Sequence, residues 1–343
     1  MSNRNILDLS LPELIQYFEQ IGERRFRAQQ ILNWIYQREA VSFEEMRNLP
    51  GPLREQLKKD FEFGWLTAEQ RIEAEDETVK YLFPLRDDQK IETVAITAPQ
   101  RLTLCVSSQA GCKFGCRFCA SGLGGWRRQL SAGEILAQIL AVKKDLSHRR
   151  VTHVVFMGTG EPLDNFDAVM AAIDMINSPE GLNIAIRRIT ISTCGVIPQM
   201  KVLAQAGRQI ELAVSLHGYS NETRDMLMPA NKKYPLKLLI QTCRDYIEQT
   251  HRQVTFEYIM IPGVTLTEEA PEALSDLLKG MNCKVNLIPY NRVAEFDFRQ
   301  PTRSEIFDFR DRLIKAGVHT TVRWSKGEDV SAACGQLRRG TCK

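Results

Sequence analysis

Apolar positions change their spacing twice along the chain. Up to about Lys59 they recur every three or four residues, as in "LPELIQYFEQIG" and "RFRAQQILNWIYQR". That is the period of a helix with one buried face. Gly22 or a polar turn closes each run, and "NLPGPL" around Pro50 and Pro52 is a break. Between Thr67 and Ala98 the texture becomes β-rich. "TVKYLFPL" and "IETVAIT", separated by "RDDQK", predict a hairpin or small sheet. From Leu102 short apolar runs alternate with helical patterns. "LTLCVSS", "THVVFMG", "RRITIST", "IELAVSLH", "QVTFEYIMI", "KVNLIPYN" and "VHTTVRW" read as strands. The intervening helices include "SAGEILAQILAVKKDL", where Ser131 with Glu134 forms a capping box.

About six β/α units with parallel strands follow from this ladder. The chain is too short for a comfortable eight-fold barrel beside its N-terminal part. The expected fold is therefore α/β: a partial, open (β/α)6 barrel with an N-terminal helical accessory domain. The expected boundaries are 1–60 for the helical part, 61–100 for a connecting β-hairpin segment, 101–325 for the barrel and 326–343 for a C-terminal segment. In such barrels the site lies at the C-terminal strand ends. Gly158–Glu161, Ser192–Gly195, Ser215–His217 and Pro289–Asn291 each follow an apolar strand. Polar residues thus collect where one pocket would be.

Composition refines this picture. The chain is 43% hydrophobic and 25% charged, ordinary for a globular protein. "MSNRNILDLSLPELI" contains no apolar run long enough for a signal peptide or membrane anchor. The expectation is a cytoplasmic protein with no membrane contact, and a monomer by default. Nine cysteines in a reducing compartment do not read as a disulfide framework. The net charge of +3 is mild. Basic pairs recur at Arg24-Arg25, Arg127-Arg128, Arg149-Arg150, Arg187-Arg188, Lys232-Lys233 and Arg338-Arg339. Each is ordinary solvated surface unless several converge on phosphates.

"GCKFGCRFCASG" holds Cys112, Cys116 and Cys119 four and three residues apart. A structural zinc site wants four ligands. A [4Fe–4S] cluster held by three thiolates leaves one iron open to a small molecule. Spacing alone also admits a zinc knuckle with a remote fourth ligand, or three packing cysteines. His217 reads equally as a buried structural histidine or a pocket residue.

The C-x3-C-x2-C spacing after the first barrel strand, with Phe118 before Cys119, resembles the signature of the radical S-adenosylmethionine (SAM) superfamily. The resemblance implies a [4Fe–4S] cluster on Cys112, Cys116 and Cys119, with SAM at its open iron. "MGTGEPL" resembles the superfamily's GGE motif, which would place Gly160 and Glu161 at the SAM amino group. Ser192, Ser215, Leu216, His217 and Asn291, on later strand ends, are candidates for its ribose, carboxylate or adenine.

A narrower resemblance covers nearly the whole chain. "TLCVSSQAGCKFGCRFCASG", "FMGTGEPL", "SLHGYSNETRDMLMPANKKYPL", "VNLIPYN" and "GEDVSAACGQL" closely resemble the RlmN/Cfr family of RNA methyltransferases. "FRAQQILNWIYQ" and "IETVAI" match its accessory region. The resemblance implies methylation of C2 of an adenine in 23S ribosomal RNA, and in some members of adenine 37 of transfer RNA. The alternatives are Cfr-like methylation of C8, which confers antibiotic resistance, or a different substrate. It further implies that Cys334 carries the methyl group, that Cys105 resolves the intermediate and that Glu92 is a candidate proton acceptor. A flavodoxin-type reductant is the expected electron donor. "CASG", "GGWRRQL", "STCG" and "YNRV" depart from the family's common spellings around the pocket. None removes a cluster or methyl-carrier residue. Arg24, Arg25 and Arg27, with Trp34 and Tyr36, are candidates for gripping RNA, the arginines the better ones because the aromatics read more readily as the core of a helix pair. Cys243 and Cys283 read as packing, Cys194 has no evident role, and Cys342 reads as free.

Overall fold

The computed structural model describes residues 4–337. Cys342 and the Arg338-Arg339 pair lie outside the described residues. A short parallel pair, β1 (Arg4–Asn5) with β2 (Phe61–Glu62), ties together the two ends of the N-terminal helical layer. Between them lie α1 (Leu11–Gln20), α2 (Phe26–Leu32) and α3 (Gly51–Asp60). Helix α1 starts at a capping box of Ser10 and Glu13 and buries Leu14 and Phe18. Tyr36 belongs to the core, while Trp34 is half-buried under Arg38. Arg24 and Arg25 remain exposed.

Strands β3 (Gln70–Glu73), β4 (Val79–Pro84) and β5 (Lys90–Ala98) form an antiparallel meander. It runs directly into β6 (Arg101–Cys105), with Val94 opposite Cys105. A two-residue pair, β7 (Gln109–Ala110) with β8 (Arg128–Gln129), pinches the base of the three-cysteine loop. The ladder then proceeds through α4 (Ala132–Asp145), β9 (Val151–Phe156), α5 (Phe166–Asn177), β10 (Ile189–Thr193) and α6 (Ile197–Gln205). It continues with β11 (Glu211–Ser215), α7 (Asn221–Leu227), α8 (Leu236–Thr250), β12 (Val254–Met260) and α9 (Ala270–Leu278). It ends with β13 (Cys283–Pro289), α10 (Arg303–Lys315) and β14 (Thr320–Val322).

One ten-stranded sheet results, in the order β14-β13-β12-β11-β10-β9-β6-β5-β4-β3. From β6 to β14 every pairing is parallel. Strand β12 is buried along its whole length, as expected of a parallel strand with both faces covered. The helical layer and the barrel share one continuous hydrophobic core. Lys143 of α4 reaches across to donate to the Tyr36 carbonyl at 2.8 Å.

The sheet does not close on itself. Residues 325–337 run as a strap from β14 back to the β3–β4 hairpin. Lys326 pairs with Asp76 at 3.4 Å, and the Gly327 amide donates to the same carboxylate at 3.2 Å. The Glu75 amide donates to Asp329 at 3.1 Å. Among the described residues no helix is long and apolar enough to cross a membrane.

Candidate active site

Helix α4 fixes the exit of β6. Gln138, fully buried, accepts from the Ser107 amide at 2.9 Å and donates to the Ser107 carbonyl at 3.0 Å. The Ser107 hydroxyl donates to the Glu92 carbonyl at 2.6 Å and accepts from the Thr159 amide at 3.0 Å. One helix residue thus aligns β5, the approach to the cysteine loop and the glycine-rich turn after β9. That turn needs its glycines. A Cβ on Gly158 would lie 2.7 Å from the Val106 backbone, and Gly160 adopts φ +108°.

Cys112, Cys116 and Cys119 are free, half-buried and line one wall of a cavity of about 160 Å³. Burial pushes all three thiols up, Cys112 to about 12; the loop's other cysteines push Cys112 and Cys116 in the same direction, and Cys334 does so for Cys119. They therefore sit within electrostatic reach of one another. Among the described residues no three such side chains already stand in metal-binding geometry. The donor set is nonetheless that of a soft, thiolate-bound centre, with Cys194 and Cys334 lining the same cavity.

The opposite wall carries Gly160, Glu161, Ser192, Ser215 and His217. Glu161 is buried and raised by that burial. Its two carboxylate oxygens accept from the Leu163 amide at 3.0 Å and the Cys194 amide at 2.7 Å. His217 accepts at Nδ1 from the Ile259 amide at 3.0 Å and packs edge-on against Phe118 at 4.8 Å. Burial lowers its pKa to about 3, so the imidazole is neutral. Leu216 is buried behind the wall, outside the cavity lining. Asn291 faces the other side of the strap. Its amide donates to the Cys334 carbonyl at 3.0 Å, so it holds the strap directly.

Below this cavity lies a larger lumen of about 620 Å³, which Asn291 helps to line. Cys334 lines both spaces, and Cys105 lines the lumen. The strap docks on the cysteine loop through the Ala120 amide, which donates to the Gly335 carbonyl at 2.7 Å. Ser121 donates to the Leu337 carbonyl at 2.8 Å. Cys105 packs with Val94, Ala332 and Leu337. Burial pushes its thiol up to about 12, Cys334 adds to this, and Arg323 opposes it. The charge of Cys334 is in turn the largest influence on Arg323. The two thiols and one guanidinium therefore form a coupled group.

Glu92 is only 4% exposed. By strand parity it shares the face of Val94 and Cys105. Lys80 lies 3.7 Å away, equally buried, and donates to the Ser331 carbonyl at 3.4 Å. Lys80→Met is expected to destabilise the fold by about 3 kcal/mol, because it removes a buried cation 3.7 Å from the buried Glu92 carboxylate and its bond to the strap. Lys80→Met with Glu92→Leu should recover most of that loss. Urea midpoints check both, and an unchanged midpoint in Lys80→Met would remove the pair from the fold's support.

Sequence reading missed Lys80, Arg323, Arg224 and Glu257. Lys80 and Glu257 are charged residues inside apolar strand runs, and that misplacement is the signal that could have found them; Arg323, just after β14, and Arg224, in the polar helix α7, carry no such signal. Cys194 also proves to line the upper cavity, beside Glu161. Basic side chains converge at the lumen as well: Arg101, Arg187, Lys284 and Lys326 line it.

Comparison with known proteins is consistent across the chain. Residues 106–277 match the Radical SAM superfamily, and residues 4–63 match the ribosomal RNA large subunit methyltransferase N-terminal domain. A probable dual-specificity RNA methyltransferase RlmN of Geobacillus kaustophilus is 46% identical, over 97% of this chain and 92% of its own. Its counterpart in Clostridium perfringens is 44% identical over 99% and 98%. The crystal structure of a radical SAM methyltransferase from Sphaerobacter thermophilus superposes with a TM-score of 0.94 at 42% identity, covering 97% of this chain and 99% of that one.

Proposed function

We propose, for a chain that belongs to the RlmN family of radical SAM RNA methyltransferases, that its substrate atom is C2 of an adenine and that Cys334 carries the methyl group. The observation that supports this most is the opposition of Cys105 and Cys334. Both are free, both face the lumen, and each lies in the other's electrostatic field. A cluster or a zinc knuckle alone would need neither.

Cys112, Cys116 and Cys119 would hold a [4Fe–4S] cluster, and the wall of Gly160, Glu161, Ser192, Ser215 and His217 would hold SAM. Bound there, the pair supplies a 5′-deoxyadenosyl radical. The chain's own residues do the rest. C2 of adenine is electron-poor, so ordinary polar methyl transfer fails there. Cys334 presents its methyl carbon to the ring from the junction of the two cavities. Glu92 or Cys105 takes the C2 proton. The methyl carbon joins the ring after losing a hydrogen atom to the 5′-deoxyadenosyl radical, and the adduct's unpaired electron would return to the cluster held by Cys112, Cys116 and Cys119; the Cys105 thiolate then attacks the Cys334 sulfur, so an S–S bond forms as the S–C bond breaks. The electron pair stays with the departing carbon, which takes a proton and becomes the product methyl. Burial keeps Cys105 protonated at rest, so two protons leave, one from its thiol and one from C2; the product methyl takes one, and Glu92, on the same face of the neighbouring strand, takes the other.

Adenine buried in folded RNA must leave its stack to reach this lumen. The basic residues around it suit the phosphates that come with it. Mass spectrometry of nucleosides from separated 23S and transfer RNA, with and without this chain, tests the reading. 2-Methyladenosine is the expected product, and the fraction in which it appears names the RNA. 8-Methyladenosine in its place would overturn the C2 assignment. Neither product from a cluster-loaded protein would overturn the adenine assignment.

A further inference from the structure

Glu257 stands at the midpoint of β12, below the strand end where the SAM-facing residues gather. It is 4% exposed and lines both cavities. Its backbone carbonyl accepts from the Leu216 and His217 amides. One carboxylate oxygen, Oε1, accepts from the Asn286 side-chain amide at 3.1 Å. The other, Oε2, is buried and has no hydrogen-bond partner. Burial raises this carboxyl and Arg323 opposes the rise.

A buried acceptor without a donor is costly, and native folds rarely retain one without a use. Glu257 lines the same two spaces as Cys334, and Cys105 lines the larger of them. Asn286 is itself fixed, because its Oδ1 accepts from Thr321 at 2.5 Å. Glu257 is therefore held with one oxygen engaged and one presented. What it lacks is an N–H donor on a flat, partly apolar ligand that enters the lumen.

The geometry points to Glu257 as a substrate-specificity residue that accepts a hydrogen bond from the exocyclic amino group of the target adenine. Guanine would set its O6 acceptor against the carboxylate at the same place. This rests on the adenine reading above. SAM also carries an adenine with the same amino group. The substrate base is preferred because Glu257 lines the lumen beside Asn286 and Thr255, below the wall that faces SAM.

The test needs no variant to begin. Two RNA fragments are compared, one with adenosine and one with purine ribonucleoside, which lacks the amino group, at the target position. The cluster-loaded native protein should bind the second about 10-fold or more weakly in competition, the effect of losing a hydrogen bond to a charged group. Glu257→Ala should shrink the discrimination in binding to within about 2-fold, and that in kcat/KM by the same factor as in binding. Deleting the amino group also alters ring reactivity, but equally for both proteins, so the comparison cancels it. Equal binding of both RNAs by the native protein overturns the assignment. So does discrimination that survives in Glu257→Ala. A weaker SAM affinity in Glu257→Ala without RNA, with discrimination intact, assigns the residue to SAM and overturns it too. Failure of the native protein to methylate even the adenosine RNA would strike the parent reading instead.

Discussion

Cys334→Ala is expected to abolish methyl transfer to RNA, by a factor on the order of 10⁴ or more, while iron stays near four per chain. The size follows from the role. In the proposed role the thiol forms the bond that is made and broken, so no neighbour could substitute for it. The selectivity follows from the structure. The strap is held here through backbone groups: Asn291 on the Cys334 carbonyl and Ala120 on the Gly335 carbonyl. Removing one sulfur leaves those bonds intact, and the cluster loop does not depend on it. Iron analysis and nucleoside mass spectrometry on one preparation measure both halves. Methylation within about 10-fold of native would take the carrier role from Cys334. Cys105→Ala should fail one stage later, with RNA covalently attached to protein, visible as a shifted band on a denaturing gel.

The second large effect is on stability. Arg224 is completely buried, and its guanidinium is a hub. Nη1 donates to the Ser215 carbonyl at 2.9 Å and to the Leu216 carbonyl, and Nη2 to the Cys194 carbonyl at 3.4 Å. Nε donates to Asn231 at 2.9 Å. Burial lowers its pKa to about 10, still well above neutrality, so the charge persists. Arg224→Ala would strip donors from buried carbonyls on both β10 and β11 exits. A loss of about 3–5 kcal/mol is expected. Arg224→Lys should recover little, because a point ammonium cannot reach all four acceptors of a planar fork. The turn at Ser215–His217 should loosen with it, so SAM affinity is expected to fall even where the variant folds. Denaturant midpoints and SAM titration read these separately. An unchanged midpoint would mean that the carbonyls find other donors at no cost.

The β/α ladder was legible because each parallel strand is a short apolar run and each helix carries its own signals, as the Ser131 and Glu134 capping box shows. The three cysteines were legible because they are close in sequence. The wall opposite them was readable as strand ends. What could not be read was depth. Glu92 and Lys80 sit in strands whose both faces are covered, the one by helices and the other by a strap some 250 positions away in sequence. No local pattern reports that cover. The meander β3–β5 shows the same limit: its residues predict strands, but only the pairing of Val94 with Cys105 places them in the barrel sheet. Arg224 reads as one more charge on a helix until the carbonyls around it are seen.

The strap's anchors have a consequence for how the molecule comes into being. Asp76 and Gly327 are 251 positions apart. Contacts of that separation carry a large closure entropy and form late. The base of the cysteine loop, by contrast, is pinched by the local pair of β7 and β8. On the proposed mechanism a chain caught before the strap docks holds the three loop cysteines but lacks Cys334 opposite Cys105, so methyl transfer waits on the last long-range contacts.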